Sequence, residues 1–382
     1  MPANPSADPR LLVDEIIREA ARLRASDVHF EPVMEGVEVR YRVDGVLRPV
    51  RTLDLALGRS AVTRLMVMAQ LLTYRLDVPQ EGRMVLNMGG PRSAGGGGGE
   101  GAGAGGKEIE LRVSIMPTTH GLRAAVRMPA ELIGPQTLEE LNLPPRVMQL
   151  LRVFAATDAG MLLVTGPAGS GKTTTIYALL EHIARLSPGV SIIALEDPVE
   201  RDLPHVTQIE VQPFGELTYE RALRSILRQD PQVLMLGEIR DAATASLAIS
   251  AALSGHRLIS TMHAATPGGA IARLYEMGLE PYQVSGALFG VVSQRLLRKC
   301  DGKGGYSGRT PLAEMAVVDG RLRAAIGRRA DAEELQRVAA AQEGYQTIAD
   351  VAEELIRRGV TDAAEVGRVL GKGGGEQACA GA

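Results

Sequence analysis

The sequence predicts an α/β core flanked by a smaller N-terminal α+β domain and a C-terminal helical region. From Met161 onward, short unbroken apolar runs alternate with helical segments, and such runs suit strands buried on both faces of a parallel sheet. Strand-like alternation dominates the N-terminal third, and helical periodicity dominates the C-terminal end. The expected divisions are an N-terminal domain over 1–130, a linker over 131–145, the core over 146–300, a helical region over 301–370 and a flexible tail over 371–382.

The N-terminal 130 residues carry the mixed patterns of an α+β domain. Apolar residues recur at helical spacing through 9–25, and residues 37–43 alternate between apolar and polar before a turn at Asp44-Gly45. The segment SAGGGGGEGAGAGG, at 93–106, has almost no side chains, so we expect a flexible surface loop there. The remaining elements are expected as a helix over 61–72 and strands over 109–115 and 124–128.

Composition narrows the class of protein and its compartment. The 382-residue chain has 42 basic and 45 acidic residues, and this balance argues against a protein that coats nucleic acid. Two cysteines, far apart, indicate a reducing compartment rather than a disulfide framework. No signal peptide is visible, and no segment reaches the ~18 unbroken apolar residues of a membrane span. We expect a cytoplasmic protein that neither inserts into a membrane nor binds nucleic acid directly.

The strongest chemical signal is the segment GPAGSGKT, which matches the complete pattern G-x-x-x-x-G-K-[ST]. It lies between the apolar run MLLVT and a helical segment, where glycines let backbone N–H groups converge on phosphate and the helix adds its positive dipole end. Lys172 is expected to bridge the β- and γ-phosphates of ATP, and the Thr173 hydroxyl to hold Mg²⁺. The expected nucleotide-binding residues are Gly166, Pro167, Ala168, Gly169, Ser170, Gly171, Lys172, Thr173 and Thr174.

Acidic residues follow two of the buried apolar runs. SIIAL ends at Glu196-Asp197, and VLML is followed within two residues by Glu238. Because ligand residues of parallel sheets gather at the carboxyl ends of strands, these carboxylates are expected beside the phosphate loop. Glu238 is expected to position the attacking water, while Glu196, also a candidate catalytic residue, and Asp197 hold Mg²⁺ partly through water. His263 follows the run RLIST and is either a nucleotide sensor or a structural hydrogen-bonding residue.

Four motifs in this order resemble the secretion ATPase family of type II secretion, type IV pilus assembly and DNA-uptake systems. GPAGSGKTTT is similar to the family's Walker A segment, LEDPVE to its aspartate box, RQDPQVLMLGEIRDAATA to its Walker B segment and STMHAAT to its histidine box. Upstream, SDVHFEP with VRYRVDGVL resembles the start of the family's second N-terminal domain, and LRVSIMPTTHGLRAAVRM resembles its end. The resemblance covers residues 26–300 strongly and the remainder loosely.

The resemblance implies a homo-hexameric ring built on a RecA-like core. In this family ATP lies between the N-terminal domain and the core, and arginines of the N-terminal domain reach the phosphates. The matching positions are Arg112 and Arg127, which the residues alone would assign to surface salt bridges. A basic group on a moving domain neutralises charge on the γ-phosphate only when the domain closes. The implied partner is an inner-membrane platform protein, through which the chain associates peripherally with that membrane.

Several positions depart from the family's pattern. Ala264-Ala265 stand where the histidine box usually has Thr-Asn, and Gly237 stands in place of Asp before the Walker B glutamate, which is usual in this family. Many members carry a four-cysteine zinc module after the core, whereas only Cys300 remains there, and one thiolate cannot build a tetrahedral site. We therefore expect ATP and Mg²⁺ but no zinc. The family's leading N-terminal domain is expected to be absent.

The favoured function is an ATP-hydrolysing motor that powers assembly of a type II secretion pseudopilus or a type IV pilus. A pilus retraction ATPase is an alternative, against which SDVHFEP, VRYRVDGVL and the long C-terminal helical region argue. A conjugation-type secretion ATPase is a further alternative. The alternative from another class is a nucleotide-binding scaffold that does not hydrolyse ATP, and the presence of Glu238, Arg112 and Arg127 argues against it.

Overall fold

The computed structural model describes residues 8–87, 108–129, 135–211 and 215–371. The chain divides into two compact units, Met1–Gly134 and Pro135–Ala382. The glycine-rich segment 93–106 and the tail beyond 371 lie outside the described residues, so their expected flexibility stays a prediction.

The first unit is a six-stranded sheet with two helices. Its elements in chain order are α1 (Pro9–Arg22), β1 (Asp27–Val33), β2 (Gly36–Val43), β3 (Val46–Leu53), α2 (Leu55–Met68), β4 (Gln80–Asn87), β5 (Glu108–Thr118) and β6 (Gly121–Arg127). The strands lie in the order β3-β2-β1-β6-β5-β4, and every neighbouring pair is antiparallel. Strands predicted over 37–43 and 109–115 are confirmed as parts of β2 and β5, and the one over 124–128 is confirmed as part of β6 except for Met128, which lies just beyond it.

Both helices of the first unit begin at aspartate caps. Asp8 accepts a hydrogen bond from the N–H of Arg10 at the start of α1. The first predicted helix is thus confirmed, and it ends at Arg22. Asp54 accepts one from the N–H of Leu57, so α2 begins earlier than the apolar periodicity suggested. The apolar sides of both helices share one buried core with the inward residues of the sheet.

Alternation along the strands leaves the other face of this sheet charged. In β1, Val28 and Phe30 are buried in the core, whereas Asp27 between β2 and β6 forms ion pairs with Arg42 and Arg127. The first unit therefore presents a layer of paired charges opposite its helices.

The second unit is built on a seven-stranded sheet with helices on both faces. Its elements in chain order are α3 (Pro145–Ala155), β7 (Gly160–Thr165), α4 (Lys172–Leu186), β8 (Ile192–Glu196), β9 (Thr207–Glu210), α5 (Tyr219–Ile226), β10 (Val233–Leu236), α6 (Ala242–Leu253), β11 (Arg257–Met262), α7 (Pro267–Glu276), α8 (Pro281–Ala287), β12 (Leu288–Cys300), β13 (Tyr306–Val317), α9 (Gly320–Gly327), α10 (Ala332–Ala340), α11 (Ile348–Arg357) and α12 (Ala363–Leu370). The strand order is β13-β12-β7-β11-β10-β8-β9. All neighbours are parallel except β12 and β13.

The four apolar runs singled out in the sequence form the centre of this sheet. MLLV, SIIAL, VLML and RLIST lie in β7, β8, β10 and β11, and every residue of β10 and β11 is buried. One core, with α3 and α4, covers one face, and a second core, with α5 to α8, covers the other. Burial on both faces explains why these strands lack alternation, and the predicted α/β class is confirmed.

Part of the segment predicted as a linker is packed. Leu138, Leu141 and Leu143 are buried in the core that contains α3 and α4. The residues from Pro135 onward therefore contribute to the stability of the second unit.

The region over 301–370, predicted as helical, begins with a strand. Residues 306–317 form β13, which pairs antiparallel with β12 in the core sheet, and the helices α9 to α12 follow. This pairing joins segments on either side of a glycine-rich turn, and local periodicity does not reveal such a partner. Cys379 lies outside the described residues, so the expectation that the two cysteines form no disulfide framework stays a prediction. Among the helices described, none has the length and apolar character needed to span a bilayer.

Candidate active site

The loop between β7 and α4 has the backbone of a phosphate cradle. Gly166, Gly169 and Gly171 adopt φ values of 146°, 74° and 88°, which glycine adopts without strain. A Cβ atom at Gly166 would lie 2.4 Å from the backbone oxygen of Gln294 and 2.6 Å from Ser170 Oγ. The strand–loop–helix context predicted for the motif is confirmed, and it directs the N-terminus of α4 at the loop.

Lys172 lies folded over the loop that precedes it. Its Nζ donates to the backbone oxygens of Gly166 at 2.8 Å and Pro167 at 3.0 Å. Burial lowers the pKa of Lys172, and the negative charges of Glu238 and Glu200 act in the opposite direction. The lysine is thus a half-buried cation within the field of two carboxylates.

The threonines after Lys172 occupy the first turn of α4 and differ in exposure. Thr173 and Thr174 are partly exposed, whereas Thr175 is fully buried. The Thr175 hydroxyl donates to Gln294 Oε1 at 2.9 Å. Thr173 and Thr174 are therefore accessible to a ligand in the loop, and Thr175 ties the helix to β12.

The predicted acidic residues and the histidine gather at the same edge of the sheet as the loop. Glu196 ends β8, Glu238 follows β10 and His263 follows β11. Since β7, β11, β10 and β8 are parallel neighbours in that order, their carboxyl ends lie side by side.

Glu238 is the centre of a hydrogen-bonded group. Its Oε1 lies 2.8 Å from His263 Nε2, and its Oε2 accepts from Arg240 Nε at 2.5 Å. Arg240 also reaches Asp197, with 3.8 Å between a guanidinium nitrogen and Oδ2. A Cβ at Gly237 would lie 2.7 Å from Tyr219 Oη, so a larger residue before Glu238 would displace that tyrosine. The structure thus brings Glu238 into direct contact with His263, and Arg240 links Glu238 to Asp197.

Glu196 has a different environment from its neighbour Asp197. It is only 3% exposed, and its two carboxylate oxygens accept hydrogen bonds from Tyr177 Oη and, at 2.8 Å, from Gln208 Nε2. Burial raises the pKa of Glu196, and these hydrogen bonds oppose the rise. Asp197 is half-buried and faces Arg240, so of the two predicted metal ligands it is the one placed toward the Glu238 group.

Two further residues of this site were not assigned from the sequence. The N–H of Glu200 donates to Tyr177 Oη at 3.3 Å, and the charge of Glu200 acts on Lys172. Tyr177 joins Glu196 to Glu200 from the buried side of α4. The available signal was the second glutamate of LEDPVE, but the direction of its side chain depends on the turn after β8.

Arg112 and Arg127 lie in the first unit, on the charged face of its sheet. They are directly opposite each other in the register of β5 and β6. The Arg127 side chain is 74% exposed, with Nε 3.5 Å from Asp27 Oδ1, and Arg112 is half-buried. Their proposed contact with nucleotide stays a prediction.

Comparison with known proteins places this chain in a family. Residues 6–368 match the family described as type II/IV secretion system protein. The chain belongs to this type II/IV secretion family. It is 38% identical over 378 residues to the type II secretion system protein HxcR of Pseudomonas aeruginosa, covering 94% of this chain and 76% of that protein.

Two further relatives of this secretion family are informative. The type IV pilus assembly ATPase PilB of Thermus thermophilus is 34% identical over 392 residues, covering 93% of this chain and 42% of PilB. The crystal structure of the pilus retraction motor PilT with bound ADP covers 92% of this chain and 95% of PilT, with a TM-score of 0.63 and 28% identity. The chain therefore shares its fold and family with proteins of secretion and pilus machines.

Proposed function

We propose that this chain hydrolyses ATP and acts as a homo-hexameric motor for assembly of a type II secretion pseudopilus or a type IV pilus. The observation that carries the proposal is the convergence of the phosphate loop, Lys172 and the Glu238–His263 pair at one sheet edge. An accessible carboxylate beside a phosphate cradle suits phosphoryl transfer to water, which depends on positioning and electrostatics.

The donors around the phosphate loop fit a magnesium ion. They are oxygens, namely the Thr173 hydroxyl and the Asp197 carboxylate, and Mg²⁺ prefers few carboxylates with several waters. When bound with ATP, Mg²⁺ neutralises charge on the β- and γ-phosphates. Glu196, which is only 3% exposed, supports the site by fixing Tyr177 and the start of the turn that carries Asp197.

In this proposal each side chain has its own role in binding or hydrolysis. Lys172 and the loop N–H groups bind the phosphates, and a phosphate gives Lys172 a charged partner stronger than the two carbonyls it contacts. Glu238 orients the attacking water through the oxygen atoms that His263 and Arg240 hold in place. Arg112 and Arg127 act as arginine fingers that stabilise charge in the transition state.

The proposal also covers the machine that the chain serves and the place in the cell where it works. A chain related to HxcR and PilB is expected to pass its motion to an inner-membrane platform protein, working at the cytoplasmic side without entering the bilayer or binding nucleic acid. Pilus retraction is a second candidate because of the similarity to PilT. Deleting the gene distinguishes them, because loss of secretion or of pili indicates assembly and accumulation of pili indicates retraction.

Phosphate release by the purified chain tests the enzymatic part. We expect magnesium-dependent release from ATP, and Lys172→Ala should keep the fold but retain less than ~10% of the activity, because a phosphate-loop lysine contacts the transferred group. Lys303→Ala, at an exposed position in the turn between β12 and β13, is the matched control. Nucleotide binding without any phosphate release by the wild type would favour the scaffold instead.

A further inference from the structure

Gln294 lies directly against the phosphate loop. Ser293, the residue before it, pairs with Thr165 at the end of β7, so Gln294 continues β12 alongside the loop. It is 2% exposed, its backbone oxygen faces Gly166, and its Nε2 lies 2.9 Å from the position of a Cβ on Gly171. With Thr175 bonded to its Oε1, Gln294 contacts both ends of the loop and the first turn of α4.

Arg295 connects this contact to a second loop of the site. One guanidinium nitrogen donates to the backbone oxygen of Gln294 at 2.9 Å, and another donates to the backbone oxygen of Ala265 at 3.3 Å. Ala265 stands two residues after His263, in the loop that follows β11. One planar cation therefore bridges the strand beside the phosphate loop and the loop that carries the histidine of the Glu238 pair.

The charge of Arg295 is unusual for its position. The side chain is half-buried, and it forms no ion pair with any residue that the structure describes. Burial lowers its pKa, partly offset by the negative field of Glu314, and its own charge lowers the pKa of Lys172. A cation held in this place by carbonyl groups, close enough to act on Lys172, suits an anionic ligand in the phosphate loop.

We propose that Arg295 is a positioning residue for ATP hydrolysis, which holds the His263 loop, and through it Glu238, at a set distance from the phosphate loop. This inference rests on the proposed function. A guanidinium donates in two directions from one rigid plane, whereas a lysine ammonium offers a point charge on a flexible stem. Misplacement of a catalytic group by about 1 Å can cost ~100-fold in rate, so losing the bridge should slow the chemical step.

The test uses the full chain with Arg295→Lys and Arg295→Gln, and with Arg337→Lys, an exposed arginine on α10, as the matched control. Steady-state phosphate release gives kcat, and fluorescence of a labelled ATP analogue gives its Kd. We expect both Arg295 variants to lose about 10- to 100-fold in kcat with Kd changed less than about 3-fold, and Arg337→Lys to match the wild type. Thermal unfolding shows which variants fold, and Arg295→Lys gives the answer if Arg295→Gln does not.

A double-mutant cycle with His263→Ala distinguishes positioning from an independent role. If Arg295 acts through the His263 loop, adding Arg295→Lys to His263→Ala should slow turnover by less than about 3-fold more, because the two losses are coupled. Wild-type turnover in Arg295→Lys, an equal loss in Kd and kcat, or fully multiplicative losses in the cycle would each overturn the inference. An inactive wild type would instead overturn the proposed function itself, so the two failures are distinguishable.

Discussion

At the scale of residues, the contacts and exposure of Glu238 distinguish it from the other glutamate at this sheet edge. Its side chain is 14% exposed and lies between His263 and Arg240, so both oxygens are oriented while the carboxylate still borders solvent. Glu196 is also a glutamate at a strand end, but Tyr177 and Gln208 enclose its carboxylate. Two glutamates at neighbouring strand ends thus have different accessibility, and the water-positioning role is proposed for the accessible one.

Glu238→Gln should keep nucleotide affinity and slow hydrolysis by at least ~100-fold, because the amide preserves shape but loses the charge that orients the water. Single-turnover phosphate release and the Kd of an ATP analogue measure the two effects separately. Glu220→Gln, an exposed carboxylate on α5, is the control and should behave as wild type. A collapse in affinity with a normal rate per bound ATP would make Glu238 a binding residue.

At the scale of elements, α12 is attached to β12 by a buried ion cluster. Glu365 is fully buried and accepts from Arg298 on β12, through Nε at 2.8 Å, and from Arg368 on α12, through Nε at 2.7 Å. The Arg298 guanidinium also lies 4.0 Å from the centre of the Tyr306 ring on β13. The last helix is therefore fixed to the hairpin of β12 and β13 by charge as well as by apolar contacts.

Glu365→Gln should destabilise this attachment by about 3 kcal/mol, the usual scale for removing one partner of a buried ion pair. The measurement is urea unfolding together with hydrogen exchange of residues 363–370. Glu354→Gln removes an exposed pair with Arg357 on α11 and should change stability by less than about 1 kcal/mol. Equal effects of the two substitutions would show that burial of Glu365 does not matter.

The same carboxylate makes stability depend on pH. Burial alone would raise the pKa of Glu365, but hydrogen bonds from Arg368 and Arg298 outweigh it and hold that pKa at about 2, below the ordinary value of 4.5. A depressed acid pKa stabilises the folded state above the unfolded-state pKa, and the gain is lost as pH falls toward the folded value. The wild type's advantage over Glu365→Gln should therefore shrink as pH falls below about 4.5. A difference that stays constant over this window would contradict the assignment.

For the whole molecule, the proposed reaction needs both compact units. Lys172 and Glu238 lie in the second unit, whereas Arg112 and Arg127 lie in the first. If the arginines act as fingers, each contributes mainly in the transition state rather than in nucleotide binding.

Arg112→Ala and Arg127→Ala should lower turnover by roughly 10³-fold while changing ATP affinity little, and lysine should rescue poorly because it lacks the planar pair of donors. Steady-state hydrolysis and analogue binding are the measurements. Arg48→Ala, at an exposed position of β3, is the control. Unchanged turnover in both variants would support the salt-bridge assignment, which the Asp27 contact of Arg127 illustrates.

A fragment of the second unit tests the same idea without mutation. It should begin at Pro135, because Leu138 is buried in the core of that unit. We expect the fragment to bind ATP but hydrolyse it slowly, as measured by phosphate release per bound nucleotide. Turnover near that of the full chain would exclude an active site shared by the two units.

Local sequence determined the phosphate loop and the elements around it. The glycines, Lys172 and Thr173 carry their chemistry in a contiguous segment, and buried parallel strands show themselves as unbroken apolar runs. For that reason the sheet edge with Glu238 and His263 could be predicted, since parallel strands bring their carboxyl ends together whatever their order. Family membership followed from the same contiguous motifs.

Tertiary structure alone decided which of these residues touch. The spatial order β7-β11-β10-β8 places His263 beside Glu238. The hydrogen bond from the buried Tyr177 to Glu196 gives Glu196 a more enclosed environment than that of Asp197. The pairing of β12 with β7 brings Gln294 against the phosphate loop, although 128 positions separate Gln294 from Gly166 in the numbering. Periodicity reports only on residues within a few turns or strand steps of each other. Contacts between distant segments depend on strand order and register, which are set by packing of the whole unit.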